Sequence, residues 1–541
     1  MAGVLRGRPL GCGPAGSLLH DARLRDIVEE TCCHRHRLGA LIAAWALCSC
    51  VNDEPKKLEP NRPNFVYILA DDLGFGDVRA YNSASKIPTP HIDQLASEGM
   101  RFTDAHSPSS VCTPTRYGVL TGRYSWRSRL TSDVLWGYGR SLIEPDRPTV
   151  ASMLKEQGYA TAVIGKWHLG LDWKLNEPLQ SLIDTDRVRV NENGLVMDMA
   201  HDLIDFTQPV EGGPVTAGFD FSFILPSSLD IPPYGFFENN ALVAPMSEFT
   251  EGNNLDTDFT GAFWRPGPMM EGFDFYQVLP TFKDKAIAYL ESRAESGEPF
   301  FLYLPLAAPH TPWVPTEEYD GSSEAGTYGD FVSMVDDAVG EVLQALDRLQ
   351  LSENTVVVFT SDNGPYWAPK WIERLDHHAA GPLRGMKADI WEGGHRVPFI
   401  VRWPGHIAPG SSSDKTTTLT NWIATSADVL GVSLQAGAGE DSFSILPELL
   451  GETRPPSVED DPVIHHSYDG VFAIRQGPWK LVEGRGSGGF SEPRHYEPQP
   501  GEPKGQLYNL DEDLGEELNL YLDRPELVKT LTGTLNAIRA R

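Results

Sequence analysis

The chain has 541 residues, more than one ordinary domain needs, and its 40% hydrophobic and 22% charged residues are those of a globular protein with ample core. A formal net charge of -30 argues against nucleic acid or anionic membrane surfaces as partners, because the summed field repels polyanions. It leaves an anionic small substrate open, since screening over roughly 10 Å at about 0.1 M salt lets local cations and a bound metal dominate inside a pocket.

Of the six cysteines, Cys12, Cys32, Cys33, Cys48 and Cys50 lie near the N-terminus, and Cys112 stands alone in the body, which therefore holds no internal disulfide. Basic His34-Arg35-His36-Arg37, then apolar Leu38 to Leu47, then Cys48-Ser49-Cys50, has the layout of a secretion signal and is too short to span a bilayer. Leu47-Cys48-Ser49-Cys50 resembles a bacterial lipoprotein signal, in which Cys50 is lipidated and becomes the mature N-terminus. A plain cleaved signal or a buried apolar helix is the alternative. The expectation is an exported protein, periplasmic or at the cell surface, touching a membrane only through a lipid on Cys50. Residues before His34 fit no signal region, which suggests a start site downstream of Met1.

After a linker from Asp53 to Arg62, the run Asn64 to Ala70 predicts a short buried strand that stops at Asp71-Asp72. Pro90 to Glu98, with Gly99 behind it, predicts a helix with proline in its first turn and a glycine stop. Arg101 to Ala105 predicts another strand. Thr149 to Gln157, closed by Gly158, is a second helix, and Ala160 to Gly165 is a strand ending at Lys166. Pro299 to Leu304 leads to His310, and Asn354 to Thr360 leads to Asp362-Asn363. Between them Phe331, Val335, Val339, Val342, Leu346 and Leu349 mark one face of a helix.

This alternation predicts an α/β fold, a large mostly parallel sheet flanked by helices, with its ligand site beyond the strands' carboxyl ends. From about Gly431 the runs shorten. Pro462 to His466, Val471 to Arg475, Trp479 to Val482 and Gln506 to Leu510 predict a smaller C-terminal antiparallel sheet, followed by a terminal helix from Pro525 to Arg541. Gly484 to Gly505 is a Gly/Pro-rich loop, and no internal repeat is present. The expected organisation is an N-terminal extension over 1–50, a linker over 51–62, a catalytic domain over 63–430 and a C-terminal subdomain over 431–541.

Cys112 opens the run Cys112-Thr113-Pro114-Thr115-Arg116-Tyr117-Gly118, in which proline suits a helix's first turn. The cysteine then sits at a helix N-terminus, where backbone N–H groups and the dipole favour an anion, and Arg116 one turn on faces the same way. The competing reading is an inert buried thiol. Asp71, Asp72, Asp362 and Asn363 offer only oxygen ligands, which suit a hard cation such as calcium or magnesium. For Asp71-Asp72 alone a pair of turn residues is an even alternative. Ser361-Asp362-Asn363-Gly364 at a second strand end moves the balance to a metal.

The run Cys112-Thr113-Pro114-Thr115-Arg116 resembles the sulfatase family signature Cys-x-Pro-x-Arg, and Gly158 to Gly170 resembles that family's second signature at its usual separation. The resemblance spans roughly residues 62 to 520. It implies that a maturation enzyme oxidises Cys112 to formylglycine, and that Asp71, Asp72, Asp362, Asn363 and the modified Cys112 bind calcium. Arg116, Lys166 and Lys387 match the family's cationic positions, which offset carboxylates that one divalent ion leaves uncompensated. His168 and His310 match its two histidines, and a residue titrating near neutrality suits proton transfer.

The family mechanism on these positions has the hydrated aldehyde attack sulfur to form a covalent sulfate ester. His310 and Lys387 assist the leaving alcohol, and His168 removes a proton so that sulfate is expelled. His377, His378 and His395 have the ordinary structural alternative; with Trp136, Trp367 or Trp371 they are also candidates to line a sugar subsite.

Trp136-Gly137-Tyr138-Gly139 and the segment Tyr468 to Arg475 resemble carbohydrate sulfatases, including those that remove 6-sulfate from galactose or N-acetylgalactosamine. The expected substrate is thus a sulfated carbohydrate, in the service of sulfated polysaccharide degradation. An aryl-sulfate specialist, a phosphonate or phosphodiester hydrolase, and a non-catalytic lipoprotein that binds sulfated glycans are the competing readings. Two-zinc phosphatases are disfavoured, because the presumed metal cluster lacks histidines and the nucleophile position is neither serine nor threonine.

Overall fold

A computed structural model describes residues 62–178, 190–191, 194–195, 201–253, 261–452 and 461–541. The signal-like segment, Cys50 and the linker up to residue 61 lie outside the described residues. Glu59–Arg541 forms one compact unit. Among the described residues no helix is long and apolar enough to cross a membrane.

The unit is built on a ten-stranded sheet. Its centre is five parallel strands in the spatial order Thr355–Ser361, Asn64–Ala70, Phe300–Pro305, Ala160–Lys166 and Phe221–Leu225. Antiparallel strands finish both sides: Phe399–Arg402 pairs with Thr355–Ser361, and Phe237–Glu238 pairs with Phe221–Leu225. The central strands are continuous apolar runs because both faces are covered. On one face Val66, Ile68, Leu302, Leu304 and Val357 pack under the helices Val278–Ser296 and Gly326–Arg348. On the other, Phe65, Tyr67, Phe301, Tyr303 and Val358 meet Trp422, Leu154 and the helix Cys112–Thr121.

The elements expected from the sequence form, with ends shifted by a residue or two. The predicted second helix is Val150–Glu156, where Thr149 caps the N-terminus in a reciprocal box with Ser152. Arg101 to Ala105 divides into two short strands, Met100–Phe102 and Ala105–His106.

The C-terminal sheet is antiparallel in the order Val463–His466, Phe472–Gln476, Trp479–Val482 and Gln506–Asn509. Alternation along its strands assigns its two faces. Ile464, Phe472, Ile474, Leu481 and Leu507 form a core with the terminal helix Pro525–Arg539 through Val528, Leu531, Leu535 and Ile538. The other face turns His465, Arg475 and Lys480 into a buried polar layer.

In that layer Lys480 Nζ lies 2.8 Å from Glu516 Oε1, 3.0 Å from Glu392 Oε1 and 3.1 Å from His395 Nε2. The two imidazoles of His395 and His106 meet at 3.0 Å through Nδ1, and His106 Nε2 lies 3.0 Å from Asp104 Oδ1. His395 Nε2 also lies 3.1 Å from the Ile390 carbonyl, and His106 donates to Asp104. Asp104 also takes Arg396 at 3.1 Å and Arg475 at 3.2 Å. The network stitches the C-terminal sheet to the segment around Glu392.

Two stability measurements follow from these contacts. Lys480→Met leaves Glu392 and Glu516 buried without their shared cation, and should lower the unfolding free energy in urea by about 3–5 kcal/mol; a loss under about 1 kcal/mol would show that the network adds nothing. His466 is buried, and burial holds its imidazole down to about 4 against an ordinary value of 6.5. The unfolded chain takes up that proton first, so stability is intact above pH 6.5 and is lost as pH falls toward 4. Between pH 7 and pH 4 the parent should lose about 3 kcal/mol more than His466→Gln in urea melts. Equal losses would remove His466 from the acid response.

Candidate active site

All five parallel strands deliver polar groups at their carboxyl ends to one place. Asn64–Ala70 ends in Asp71-Asp72, Thr355–Ser361 in Asp362-Asn363, Ala160–Lys166 in Lys166 and then His168, Phe300–Pro305 leads to His310, and Phe221–Leu225 to Ser228. Cys112 enters from above as the first residue of the helix Cys112–Thr121, with Val111 as an extended N-cap. Gly118 is tolerated in mid-helix because the helix is tightly covered: a Cβ there would lie 2.9 Å from Pro108 Cγ. Gly122, in the left-handed region at φ 63, closes the helix.

The floor is a compact set of opposed charges with no solvent exposure for Asp71, Lys166, Arg116, Asp362 and Asn363. Lys166 Nζ lies 2.7 Å from Asp71 Oδ2 and donates to Ser228 Oγ at 3.2 Å. Arg116 grips Asp362 Oδ2 with Nε at 3.0 Å and Nη2 at 2.7 Å, and gives Nη1 to the Lys166 carbonyl at 2.9 Å. Lys387 Nζ is 2.7 Å from Asp72 Oδ2 and 3.7 Å from Cys112 Sγ. Arg116 Nη2 also stands 3.5 Å from Asp71 Oδ1, so Arg116 acts on the site by fixing Asp362 beside Asp71.

Burial opposes ionisation of Asp71, but Lys166, His310, Arg116 and Lys387 hold its carboxyl well below the usual range. Burial together with the Asp71 charge pushes Asp362 up to about 7 against the pull of Arg116 and Lys166. Two carboxylates in this relation are what a shared cation stabilises. Asp71 Oδ1 and Asn363 Oδ1 are buried without a hydrogen bond among the described residues. Asn363 Nδ2 donates to Asp72 Oδ1 at 2.7 Å, which turns its carbonyl oxygen toward the same space. This all-oxygen set fits a hard divalent cation.

His168, held at φ 52, lies 2.8 Å from the Leu135 carbonyl through Nε2. Its Nδ1 has no partner among the described residues, and burial with Lys166 and Arg116 nearby keeps the ring neutral, well below its ordinary pKa. A neutral ring donating from Nε2 carries a lone pair on Nδ1, which is the form of a proton acceptor. His310 lies 3.6 Å from Asp72 Oδ2 and 3.3 Å from Ser228 Oγ, and burial and Lys387 lower its pKa. Burial pushes the unmodified Cys112 thiol up to about 12 in spite of Lys166 and Lys387.

Every site residue expected from the sequence thus converges here. Of the other candidates, Trp136 lines the cavity above Cys112. Trp367 and Trp371 are buried and pack with Trp313, His377 pairs with Asp77 at 2.7 Å, and His395 belongs to the polar layer under the C-terminal sheet. His378 is exposed and lines a separate recess.

The cavity holds about 690 Å³ and reaches from Cys112, His168 and Lys387 to a wall of Asp230, Arg265 and Trp136. Arg265 pairs with Asp230 and lies 5.2 Å over the Trp136 ring. The C-terminal residues Tyr468, Phe490, Glu492 and Arg494 complete its rim. Tyr468 opens the segment that the sequence singles out; Phe490, Glu492 and Arg494 were missed, along with Ser228, Asp230, Arg265 and Tyr366. The strand Phe221–Leu225 followed by Pro226-Ser227-Ser228 was the available signal for Ser228 and Asp230, because it repeats the pattern of a strand ending in polar residues.

The sulfatase family model matches residues 63–209 and 235–432. N-acetylgalactosamine-6-O-sulfatase of Bacteroides thetaiotaomicron is 31% identical over 93% of this chain and 99% of its own length. Bovine arylsulfatase A is 32% identical over 85% of this chain and 83% of its own. A solved chain from work on the metabolism of multiple glycosaminoglycans by Bacteroides thetaiotaomicron superposes with a TM-score of 0.74 at 32% identity, covering 89% of this chain and 100% of that one. With the family model matched over more than half of the chain and relatives aligned along most of it, the chain belongs to the sulfatase family and is a sulfuric ester hydrolase.

Proposed function

We propose that this sulfatase removes sulfate from a sulfated carbohydrate, with Cys112 working as formylglycine and calcium held by Asp71, Asp72, Asp362, Asn363 and the modified Cys112 side chain. The observation that carries this reading is the position of Cys112. It opens a helix, stands 3.7 Å from Lys387 Nζ, and borders a floor where Asp71 Oδ1 and Asn363 Oδ1 are buried without a hydrogen bond among the described residues, Arg116 Nη2 standing 3.5 Å from the former. Held by those residues, calcium would supply positive charge to offset an anionic ester. An aldehyde hydrate supplies two hydroxyls on one carbon, one to attack sulfur and one to let sulfate go.

The protein's own groups divide the remaining work. Lys387 and His310, both beside Asp72, assist the departing alcohol, Lys387 as the charged donor of the one proton it needs and the neutral His310 as a hydrogen-bond donor to its oxygen. His168 accepts a proton at Nδ1, the nitrogen its Leu135 contact leaves open. Arg116 and Lys166 position Asp362 and Asp71, and their charges favour the anionic transition state. In the wall, Asp230 Oδ1 is buried without a hydrogen bond among the described residues, beside Arg265 and Trp136, a combination of acceptor, donor fork and ring face that suits sugar hydroxyls and a pyranose face.

The similarity to an N-acetylgalactosamine-6-O-sulfatase supports 6-sulfated N-acetylgalactosamine or galactose as the sugar. Export belongs to the same proposal: the signal-like layout ending at Cys48-Ser49-Cys50 supports a periplasmic or cell-surface enzyme anchored by a lipid on Cys50, matured by a formylglycine-generating enzyme. Intact mass of the mature N-terminus tests that part, and an unprocessed N-terminus would overturn it.

Sulfate release from a panel of sulfated monosaccharides and aryl sulfates tests the substrate: the 6-sulfated sugars should be hydrolysed, and turnover of aryl sulfates alone would defeat the carbohydrate reading. Cys112→Ser should accept sulfate onto the serine and stop, visible as a stable adduct by mass spectrometry. Sustained turnover by that variant would refute the assignment of Cys112. Chelation should abolish activity. Independently of activity, calcium at about 100 times its dissociation constant should stabilise the protein by roughly 2.7 kcal/mol in urea melts, and Asn363→Ala should reduce the gain. No calcium effect on either readout would sink the metal assignment.

A further inference from the structure

The cavity is larger than the sulfated ring that its floor and wall would hold, and its outer rim is aromatic. Pockets of about 300–1,000 Å³ enclose ligands well above one sugar in size, and this one, at about 690 Å³, opens beside a second recess of about 290 Å³. Tyr366, Phe263 and Thr311 line both spaces. Tyr366 is 36% exposed and Phe490 is 43% exposed, and their rings meet nearly at right angles with centroids 5.8 Å apart. Tyr468 extends the corner from Phe490 at 5.9 Å, and Trp371 backs Tyr366 at 5.4 Å.

The Phe490 ring is exposed on a backbone that is held still. Asp389, buried and two residues from Lys387, accepts Phe490 N at 2.8 Å, Ser491 N at 2.9 Å and Ser491 Oγ at 2.5 Å. Ser487 Oγ accepts Gly489 N at 3.0 Å, and a Cβ on Gly489 would lie 2.3 Å from the Ala388 carbonyl oxygen. The loop that carries Phe490 is thus docked on the segment that carries Lys387. An apolar ring fixed in solvent at the mouth of a polar site is a preformed stacking face.

Resting on the carbohydrate reading above, we propose that Tyr366 and Phe490 form a second sugar subsite, so that the enzyme acts on sulfated oligosaccharides in preference to single sulfated sugars. The sulfated unit reaches Cys112, and the next unit of the chain leaves past Tyr366 with a pyranose face against the Tyr366–Phe490 corner. The ligand class is a neutral or acidic glycan of at least two units, recognised by its C–H faces rather than by its charge.

The test compares kcat/KM for a sulfated monosaccharide with that for the disaccharide and tetrasaccharide bearing the same sulfated end, using the full-length mature enzyme. The parent should favour the longer substrates by about tenfold or more, the scale of one well-made aromatic contact. Tyr366→Ala/Phe490→Ala should bring the ratio of tetrasaccharide to monosaccharide close to one, whereas Tyr366→Phe/Phe490→Tyr should keep it. A parent ratio near one, or a ratio that the double alanine variant leaves unchanged, overturns the subsite while hydrolysis of the monosaccharide still upholds the carbohydrate reading. Turnover of aryl sulfates with no sugar substrate cleaved overturns both.

Discussion

The site depends on neutralising charge out of water. Asp71, Asp72 and Asp362 are packed against Lys166, Lys387 and Arg116, all buried. An isolated ion in such a place costs several kcal/mol, and only close partners offset it. Each carboxylate has its own cation at 2.7 Å: Lys166 for Asp71, Lys387 for Asp72 and Arg116 for Asp362. With the carboxylates matched in this way, an added divalent cation leaves the floor net positive. That is the sign required to hold an anionic ester and the larger negative charge of its transition state.

The parallel sheet makes this packing possible. Five adjacent strands running one way end on one edge, so short turns can bring residues from positions as far apart as Asp71 and Asn363 within reach. Close backbone approach is part of the cost: a Cβ at Gly364 would lie 1.8 Å from the Gly393 carbonyl oxygen, so the turn carrying Asn363 packs directly on the segment that follows Glu392. That segment is in turn held by Lys480 from the C-terminal sheet. The same sheet supports Cys112 from the other side, where the His466 carbonyl accepts Ser110 N at 3.1 Å, two residues before the nucleophile position. The C-terminal sheet is therefore a structural brace for both the Cys112 turn and the proposed metal-binding turn.

The central strands and the polar residues that meet at their ends were legible in the sequence for a physical reason. Strands buried on both faces read as unbroken apolar runs, and a polar residue directly after such a run marks a sheet edge. Asp71, Lys166 and Asp362 follow that rule. Ser228 follows it too, but its strand Phe221–Leu225 was not separated from the long loop-rich stretch around it. The buried layer under the C-terminal sheet was less accessible: His465, Arg475 and Lys480 alternate with apolar residues, the same pattern that a solvent-facing strand shows. Polar residues on one face of a strand indicate an absence of oil there, and whether water or another polar surface covers them depends on distant residues such as Glu392 and Glu516.

The alcohol side of the pocket was illegible for a related reason. Asp230, Arg265, Tyr366 and Phe490 come from four separate irregular segments, and no period or strand end relates them. Their placement is set by contacts such as Asp389 with the Phe490 loop, which join positions about a hundred residues apart. Charge compensation constrains the floor so tightly that few residue types fit there. The rim only has to present faces and hydrogen-bonding groups to a leaving alcohol, and loops docked on a rigid floor can change those without disturbing the carboxylates and cations beneath. On the proposed function, sulfate chemistry is accordingly set by the strands and their ends, and the choice of alcohol by the loops that the strands hold in place.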